Sequence, residues 1–513
     1  MALPPPNKYA SGDVRPMLPA TGTEAGEAAQ GGDSSDVGRS LVPEKVVSSK
    51  TVEGWHLKDP SFEAPRVSIH LQLDSPLVDA DVKGAALLRL LLEYIDLCFN
   101  EVRYMAGEAG LGIEVSNNSF QSPMAGLRLM LHGWSGKVDT LLEDVLKAIS
   151  AIEVDADVFA MAKERAETDY RNRKFQQPYA HAMLASNRIL ETPFFTHQER
   201  LEEVSGLKVE DLMAFKTAFL ANLRVTGLVV GNIDAAEAVK LFTTAETLLG
   251  SPTRATGFAP QQMAKLPAGL GLHHVQLSPD PDHVDSAALL YLQVGAQSHK
   301  LDAHLSLLSQ MFDKEAYSQL RTKEQLGYIV SAEVHARWGV TGLRVIVQSV
   351  RGPLDLHERV EAFLQSFETV LAEMPEDVFA SHVESLINKK REPDMSLYAR
   401  SSRIFYEVVS ATFAWTRREE EVKHLEVVTK GDLLVLFQRF CAPDGESRRP
   451  VSVSVLGKEA RAAHPVVVPS DSENFVSASW AEESDAAIIG AALGFDPASP
   501  PGSAAPQAAG DSG

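Results

Sequence analysis

Fifteen histidines are spread through the chain, and their spacing decides whether any pair could hold a metal. Zinc peptidase motifs on helices place two histidines four residues apart, so that both imidazoles leave one face. No two histidines here have that separation, whether as H-E-x-x-H or as the inverted H-x-x-E-H. His299 and His304 are five apart, which on a helix splays their side chains by about 140°. His273 and His274 stand just before an alternating apolar stretch with His283 downstream; a solvated or capping role accounts for them more simply than a metal does. The sequence also lacks a Walker loop, a G-x-S-x-G elbow and a C-x-x-C pair. Gly110-Leu111-Gly112 lacks the third glycine of a dinucleotide fingerprint and reads better as a turn before a strand. Cys98 and Cys441 are the only cysteines, too few for a disulfide framework or a thiolate zinc site. Neither has a histidine or basic cluster nearby in sequence, and both read as small buried hydrophobes. The basic run Arg171-Asn172-Arg173-Lys174 lies within an acidic helix and reads as a solvated face.

One segment concentrates polar chemistry. Tyr317-Ser318-Gln319-Leu320-Arg321-Thr322-Lys323-Glu324-Gln325-Leu326-Gly327-Tyr328 crosses from a helix end into a strand start. Two readings stand side by side. In the structural one, Arg321 and Lys323 complement the dipole at a helix C-terminus, and Tyr328 is a half-buried sheet residue. In the functional one, a guanidinium and a phenol at one sheet edge donate hydrogen bonds to the carbonyl oxygens of an extended peptide.

The elements that must position these groups come in two copies. Leu111-Gly112 matches Leu326-Gly327 at an offset of 215, and Gly126-Leu127-Arg128 matches Gly342-Leu343-Arg344 at 216. Asp157-Val158-Phe159-Ala160 returns as Asp377-Val378-Phe379-Ala380 at 220, and Asp211-Leu212 as Asp432-Leu433 at 221. Each copy predicts the same order of elements. An alternating strand (67–73; 288–294) leads to a long helix (80–105; 303–321) and then two strands. Amphipathic helices follow, and a last strand (226–230; 451–456) closes the unit. Where the second copy has its polar cluster, the first has Asn100-Glu101-Val102-Arg103-Tyr104, with no arginine seven residues ahead of a tyrosine. The cluster is therefore not a requirement of the repeat itself. Helices alternating with antiparallel strands predict an α+β fold, with two homologous domains that each carry a mainly antiparallel sheet covered by helices. The Pro- and Gly-rich stretch 251–267 separates them.

Composition bounds what the whole can do. Of 513 residues, 44% are hydrophobic, and 48 Lys+Arg against 69 Asp+Glu leave a net charge of −21. Such a surplus disfavours a sequence-independent grip on nucleic acid or anionic lipid. The most apolar stretch, 84–99, is broken by Arg89, Glu93 and Asp96, so no bilayer span is expected. No targeting signal is evident, and the two cysteines suit a reducing, cytoplasmic setting. The expected division is a mostly disordered linker at 1–49, domains at 50–262 and 263–464, and a disordered tail at 465–513. Within these ends, Leu3-Pro4-Pro5-Pro6-Asn7 reads as a short ordered arm, and 486–493 is a short apolar patch.

The string L-R-T-K-E-Q-L-G-Y, Leu320 to Tyr328, resembles the signature in the C-terminal half of the insulysin (insulin-degrading enzyme) and pitrilysin zinc metallopeptidases. Trp55-His56-Leu57-Lys58-Asp59, Gln177-Pro178-Tyr179-Ala180-His181, Val230-Gly231-Asn232-Ile233, Gln348-Ser349 and Arg359-Val360-Glu361-Ala362-Phe363 extend the resemblance over about residues 50–460. It implies the third and fourth domains of a four-domain clamshell peptidase. The zinc and its H-x-x-E-H helix would belong to the N-terminal half, leaving no cofactor and no metal ligand on this chain. Arg321 and Tyr328 match family residues that contact substrate near the scissile bond, with Tyr328 a candidate oxyanion stabiliser. The implied partners are an N-terminal catalytic half and peptide substrates, with neither nucleic acid nor membrane, and a homodimer is left open. The competing reading is a non-enzymatic peptide-binding or scaffold subunit of a processing complex. An independent peptidase with another mechanism has no supporting constellation.

Overall fold

The computed structural model describes residues 6–10, 42–117, 124–463 and 475–476. Most of the expected linker, and all of the expected tail but Phe475 and Val476, lie outside the described residues, as does the patch at 486–493. The first unit runs β1 (Glu44–Ser48), β2 (Val52–Lys58), β3 (Arg66–Asp74), α1 (Val82–Cys98), α2 (Asn100–Glu108), β4 (Leu111–Ser116) and β5 (Gly126–Trp134). It continues through α3 (Val138–Ala151), α4 (Ala156–Asn172), α5 (Pro178–Leu190), β6 (Glu191–Thr192), α6 (His197–Gly206), α7 (Val209–Ala221), β7 (Arg224–Gly231) and α8 (Ala235–Leu249). The second unit runs β8 (Gln262–Met263), β9 (Leu272–Leu277), β10 (Ser286–Ala296), α9 (His299–Ala316), β11 (Ile329–Arg337), β12 (Val340–Ser349), α10 (Pro353–Glu373) and α11 (Glu376–Arg391). It ends with α12 (Leu397–Val409), α13 (Arg417–Leu425), α14 (Lys430–Phe440), β13 (Pro450–Leu456), α15 (Lys458–Ala463) and β14 (Phe475–Val476).

Two six-stranded sheets form, ordered β1-β2-β7-β3-β5-β4 and β11-β12-β10-β13-β9-β14. Both are antiparallel except where β2 meets β7 and β9 meets β13. This is the expected α+β duplication. The long helix expected over 80–105 is divided into α1 and α2 at Phe99. The Leu-Gly match is out of strand register: Gly112 stands opposite His132, whereas Ile329, two residues past Gly327, stands opposite Gln348. A different connection ahead of β11 causes the slip, as described below. The first strand starts at Glu44, and Tyr9 is fully buried with its hydroxyl donating to Asp144 Oδ2 at 3.0 Å.

Strand alternation explains one face of each sheet. Val67, Ile69, Leu71 and Leu73 of β3 enter the first core with α1, α3 and α8. The alternate residues Ser68, His70, Gln72 and Asp74 are polar, yet they too are buried. The cover comes from the other unit. Helix α12 lays Ile404, Phe405, Val408 and Val409 against Leu57, Leu228 and Val230 of the first sheet. His70 stacks on Phe405 at 4.8 Å and hydrogen-bonds Ser401 Oγ at 2.9 Å. The exchange is reciprocal: α5 of the first unit packs Ala182, Ala185 and Leu190 against Leu289, Tyr291 and Val453 of the second sheet.

Candidate functional site

Helix α9 runs without a break into a π-helical turn, Tyr317–Lys323. The wider turn adds a residue and is finished by Glu324 N–H donating to Gln319 O at 3.0 Å and Leu326 N–H to Leu320 O at 3.0 Å. Leu320 and Leu326 peg it into the second core, 0% and 2% exposed. Between them Gln325 takes a positive φ of 53°. Gly327 then passes so close to β12 that a Cβ would stand 1.9 Å from Gln348 O, which only glycine tolerates.

Glu324 fixes the turn from the side. Arg359 of α10 donates to it twice, Nε to Oε2 at 2.7 Å and Nη2 to Oε1 at 2.8 Å, and Gln319 Nε2 adds a bond at 2.8 Å. The Arg359 hydrogen bonds, ahead of any other influence, hold the Glu324 carboxyl below its ordinary range. Lys323 Nζ donates to Gln319 Oε1 at 3.3 Å.

The result is a stack. The Arg321 guanidinium lies 4.5 Å from the Tyr317 ring centre and 4.6 Å from that of Tyr328. Tyr328 is 83% exposed and Tyr317 45%, so Tyr328 is not the half-buried sheet residue of the structural reading. Arg321 has no hydrogen bond or ion pair to another described residue. A guanidinium held between two rings loses side-chain freedom while its N–H edge stays free to donate. The structure thus brings Arg321 and Tyr328 together. Tyr317 was missed from sequence, although its spacing of four from Arg321 puts both on one helical face. The Glu324–Arg359 clamp was also missed: both residues stand in quoted motifs, but nothing in either string pairs them.

The other sequence candidates do not converge. His273 Nε2 hydrogen-bonds Ser454 Oγ at 3.0 Å, His274 Nε2 pairs with Gln276 Oε1 at 3.3 Å, and His283 Nδ1 accepts from Asp285 N–H at 3.2 Å. Among the described residues no three His, Cys, Asp or Glu side chains are grouped to hold a metal ion. The donors present do not fit the zinc of the resembling peptidases. Cys441 is buried, and its burial pushes the thiol up to about 12. Cys98 corrects the expectation of a buried hydrophobe: as the last residue of α1 it is exposed. No helix among the described residues is long and apolar enough to cross a membrane.

Comparison with known proteins agrees with this architecture. Residues 1–203 match the family described as the middle or third domain of peptidase_M16, and residues 307–405 match the PQQ synthase PqqF-like C-terminal lobe domain 4. The chain is 29% identical over 423 residues to the insulin-degrading enzyme of Drosophila melanogaster, covering 81% of this chain and 42% of that protein. It is 30% identical over 419 residues to the peroxisomal insulin-degrading enzyme-like 1 of Arabidopsis thaliana, covering 79% and 42%. The crystal structure of pitrilysin shares the fold with a TM-score of 0.77 at 19% identity, over 89% of this chain and 46% of that one. The chain therefore spans less than half the length of these relatives, and it is similar to the C-terminal half of insulysin/pitrilysin-type proteins.

Proposed function

We propose that the chain is the substrate-enclosing, non-zinc half of an insulysin-like metalloendopeptidase that degrades peptides. Residues 50–262 and 263–464 serve as its third and fourth domains, working with a zinc-bearing N-terminal half in a reducing, cytoplasmic setting. The observation that carries the reading is the Arg321 guanidinium stacked between Tyr317 and Tyr328, with no hydrogen bond or ion pair to another described residue, beside the exposed start of β11. Its N–H groups and the Tyr328 hydroxyl donate to carbonyl oxygens of an extended peptide. Such donors hold the backbone and do not read side chains. If Tyr328 also faces the oxygen that gains charge during hydrolysis, a donor preorganised in this way contributes about 10²–10³ in rate.

The test mixes the purified chain with the zinc-bearing half of a full-length relative and follows cleavage of a quenched fluorescent peptide. The chain alone is expected to cleave nothing and the mixture to cleave, with Arg321→Ala plus Tyr328→Phe lowering kcat/KM by about 10²-fold. Zinc-dependent hydrolysis by the chain alone would overturn the reading. Unchanged kinetics in the double variant would favour a scaffold subunit.

A further inference from the structure

The edge strand of the second sheet is covered over only part of its length. Ala332 N–H donates to Asp313 Oδ1 at 3.1 Å, and Ala332 O accepts from Ser309 Oγ at 3.5 Å, both partners lying on α9. The Ala332 backbone therefore points away from β12, and the antiparallel ladder turns the N–H and C=O of Val334 and Ala336 the same way. Past Ala332 the helix gives no such cover. Val334 and Ala336 line a cavity of about 740 Å³ between the two units, and Ala336 also lines an adjoining cavity of about 630 Å³. No described residue hydrogen-bonds their outward N–H and C=O groups. Native sheets normally cover, charge or shorten such an edge, because a bare row of donors and acceptors is a template for another strand.

The charge of the cavity narrows the occupant. In a chain of net charge −21, five arginines and three carboxylates line it. Most of these arginines are spent on neighbours: Arg337 pairs with Glu191 at 3.3 Å, Arg173 with Asp169 at 3.1 Å, and Arg344 with Glu333. Arg200, brought from α6 of the first unit, forms no salt bridge with any described residue. Asp79 and Glu199 attract Arg200 without a salt bridge to it. An open strand edge sharing one cavity with a guanidinium that has no salt bridge to a described residue matches one ligand class: an extended peptide ending in a carboxylate.

We propose that this inter-unit cavity binds the C-terminal segment of a peptide. The segment adds as a strand along Val334–Ala336, and Arg200 holds its terminal carboxylate. The site is separate from Arg321 and Tyr328 and does not depend on the reading given for them.

The experiment measures fluorescence anisotropy of a fluorescein-labelled Thr-Val-Thr-Val-Thr peptide against the full chain. The free acid is expected to bind saturably and its C-terminal amide to bind at least about ten-fold more weakly. Arg200→Gln should weaken the free acid by a similar factor, and so should Ala336→Pro. The proline removes an outward donor without breaking a ladder bond, the one kind of place where an edge strand accepts it. The preference for free acid over amide should persist in Arg321→Ala with Tyr328→Phe, whose lost donors address the peptide backbone alone, which separates failure here from failure of the proposed peptidase role. If Ala336→Pro lowers the melting temperature, peptides N-methylated at alternate residues make the same test from the ligand side. No saturable binding by the unmodified chain at about 1 mM would overturn the proposal. Equal affinity of acid and amide, or indifference to both protein variants, would do the same.

Discussion

Lowering the pH from about 6.5 to about 4.5 should destabilise the fold by roughly 4 kcal/mol, because several interior histidines cannot accept a proton while folded. Burial, the leading cause in each case, pushes His197 and His357 down to about 4 and His335 to about 3, from an ordinary 6.5. Below pH 6.5 the unfolded chain takes up three protons that the folded chain refuses. Stability therefore falls as the pH drops, until the folded values are reached near 4. Over these two pH units each of the three histidines removes roughly 2 kcal/mol.

Asp74 works in the opposite direction. Burial raises its carboxyl to about 7 from 3.8, so the folded chain binds that proton first and regains roughly 2.5 kcal/mol over the same window. Burial also raises Asp79, Glu191 and Asp302, which softens the loss. It also lowers His70, His181, His273 and His304, which deepens it. Against a total stability of about 5–15 kcal/mol, the net change is large. Urea titrations at pH 6.5, 5.5 and 4.5 and equal ionic strength should show the midpoint falling at each step with an unchanged slope. His335→Gln should flatten the trend by about half. A midpoint independent of pH across this window would refute the reasoning.

Two more perturbations test the packing and the site. Phe405→Ala empties a fully buried position where α12 covers the first sheet, and should cost about 3–5 kcal/mol; a thermal melt checks the loss, and limited proteolysis should cut within α12 first. Glu324→Gln weakens the Arg359 clamp, in which the Arg359 side chain is 40% exposed, so global stability should change by no more than about 1 kcal/mol; amide exchange at Leu326 should speed up, and unchanged exchange there would show that the clamp does not hold the turn.

Matched residues at offsets of 215 to 221 revealed the duplication, and strand alternation and helical spacing recurring in both copies revealed the fold class. Partnership between units was not legible in the same way. Ser68, His70, Gln72 and Asp74 alternate with apolar residues as a solvated face would, yet α12 and its neighbours bury them. An amphipathic helix such as α5 announces an apolar stripe without saying which sheet receives it. The polar cluster at 317–328 was visible as a cluster, and its geometry was not. The π-helical turn, the positive φ of Gln325 and the passage of Gly327 over Gln348 all arise from tertiary packing. The same packing shifted Leu326-Gly327 out of the register that its match with Leu111-Gly112 implied.

The reciprocal cover has a consequence for the site. Gly327 lies against the backbone oxygen of Gln348, and the Gln348 amide donates to Gln177 Oε1 at 2.7 Å while its Oε1 accepts from Tyr179 N–H at 3.2 Å. Gln177 immediately precedes α5 in the first unit. The strand that follows Tyr328 is thus tied to the first unit near its start through Gln348 of β12 and at its end through Arg337, which pairs with Glu191, although neither Arg321 nor Tyr328 stacks on or hydrogen-bonds any described residue of that unit. Removing the first unit would bare Leu289, Tyr291 and Val453 to water and release the amide that steadies β12 beneath Gly327. Apolar exposure on that scale opposes independent folding of the second unit. The two copies are therefore one structural unit for the purpose of holding Arg321 and Tyr328, joined by the reciprocal cover of α5 and α12 and, beside the site, by Gln348.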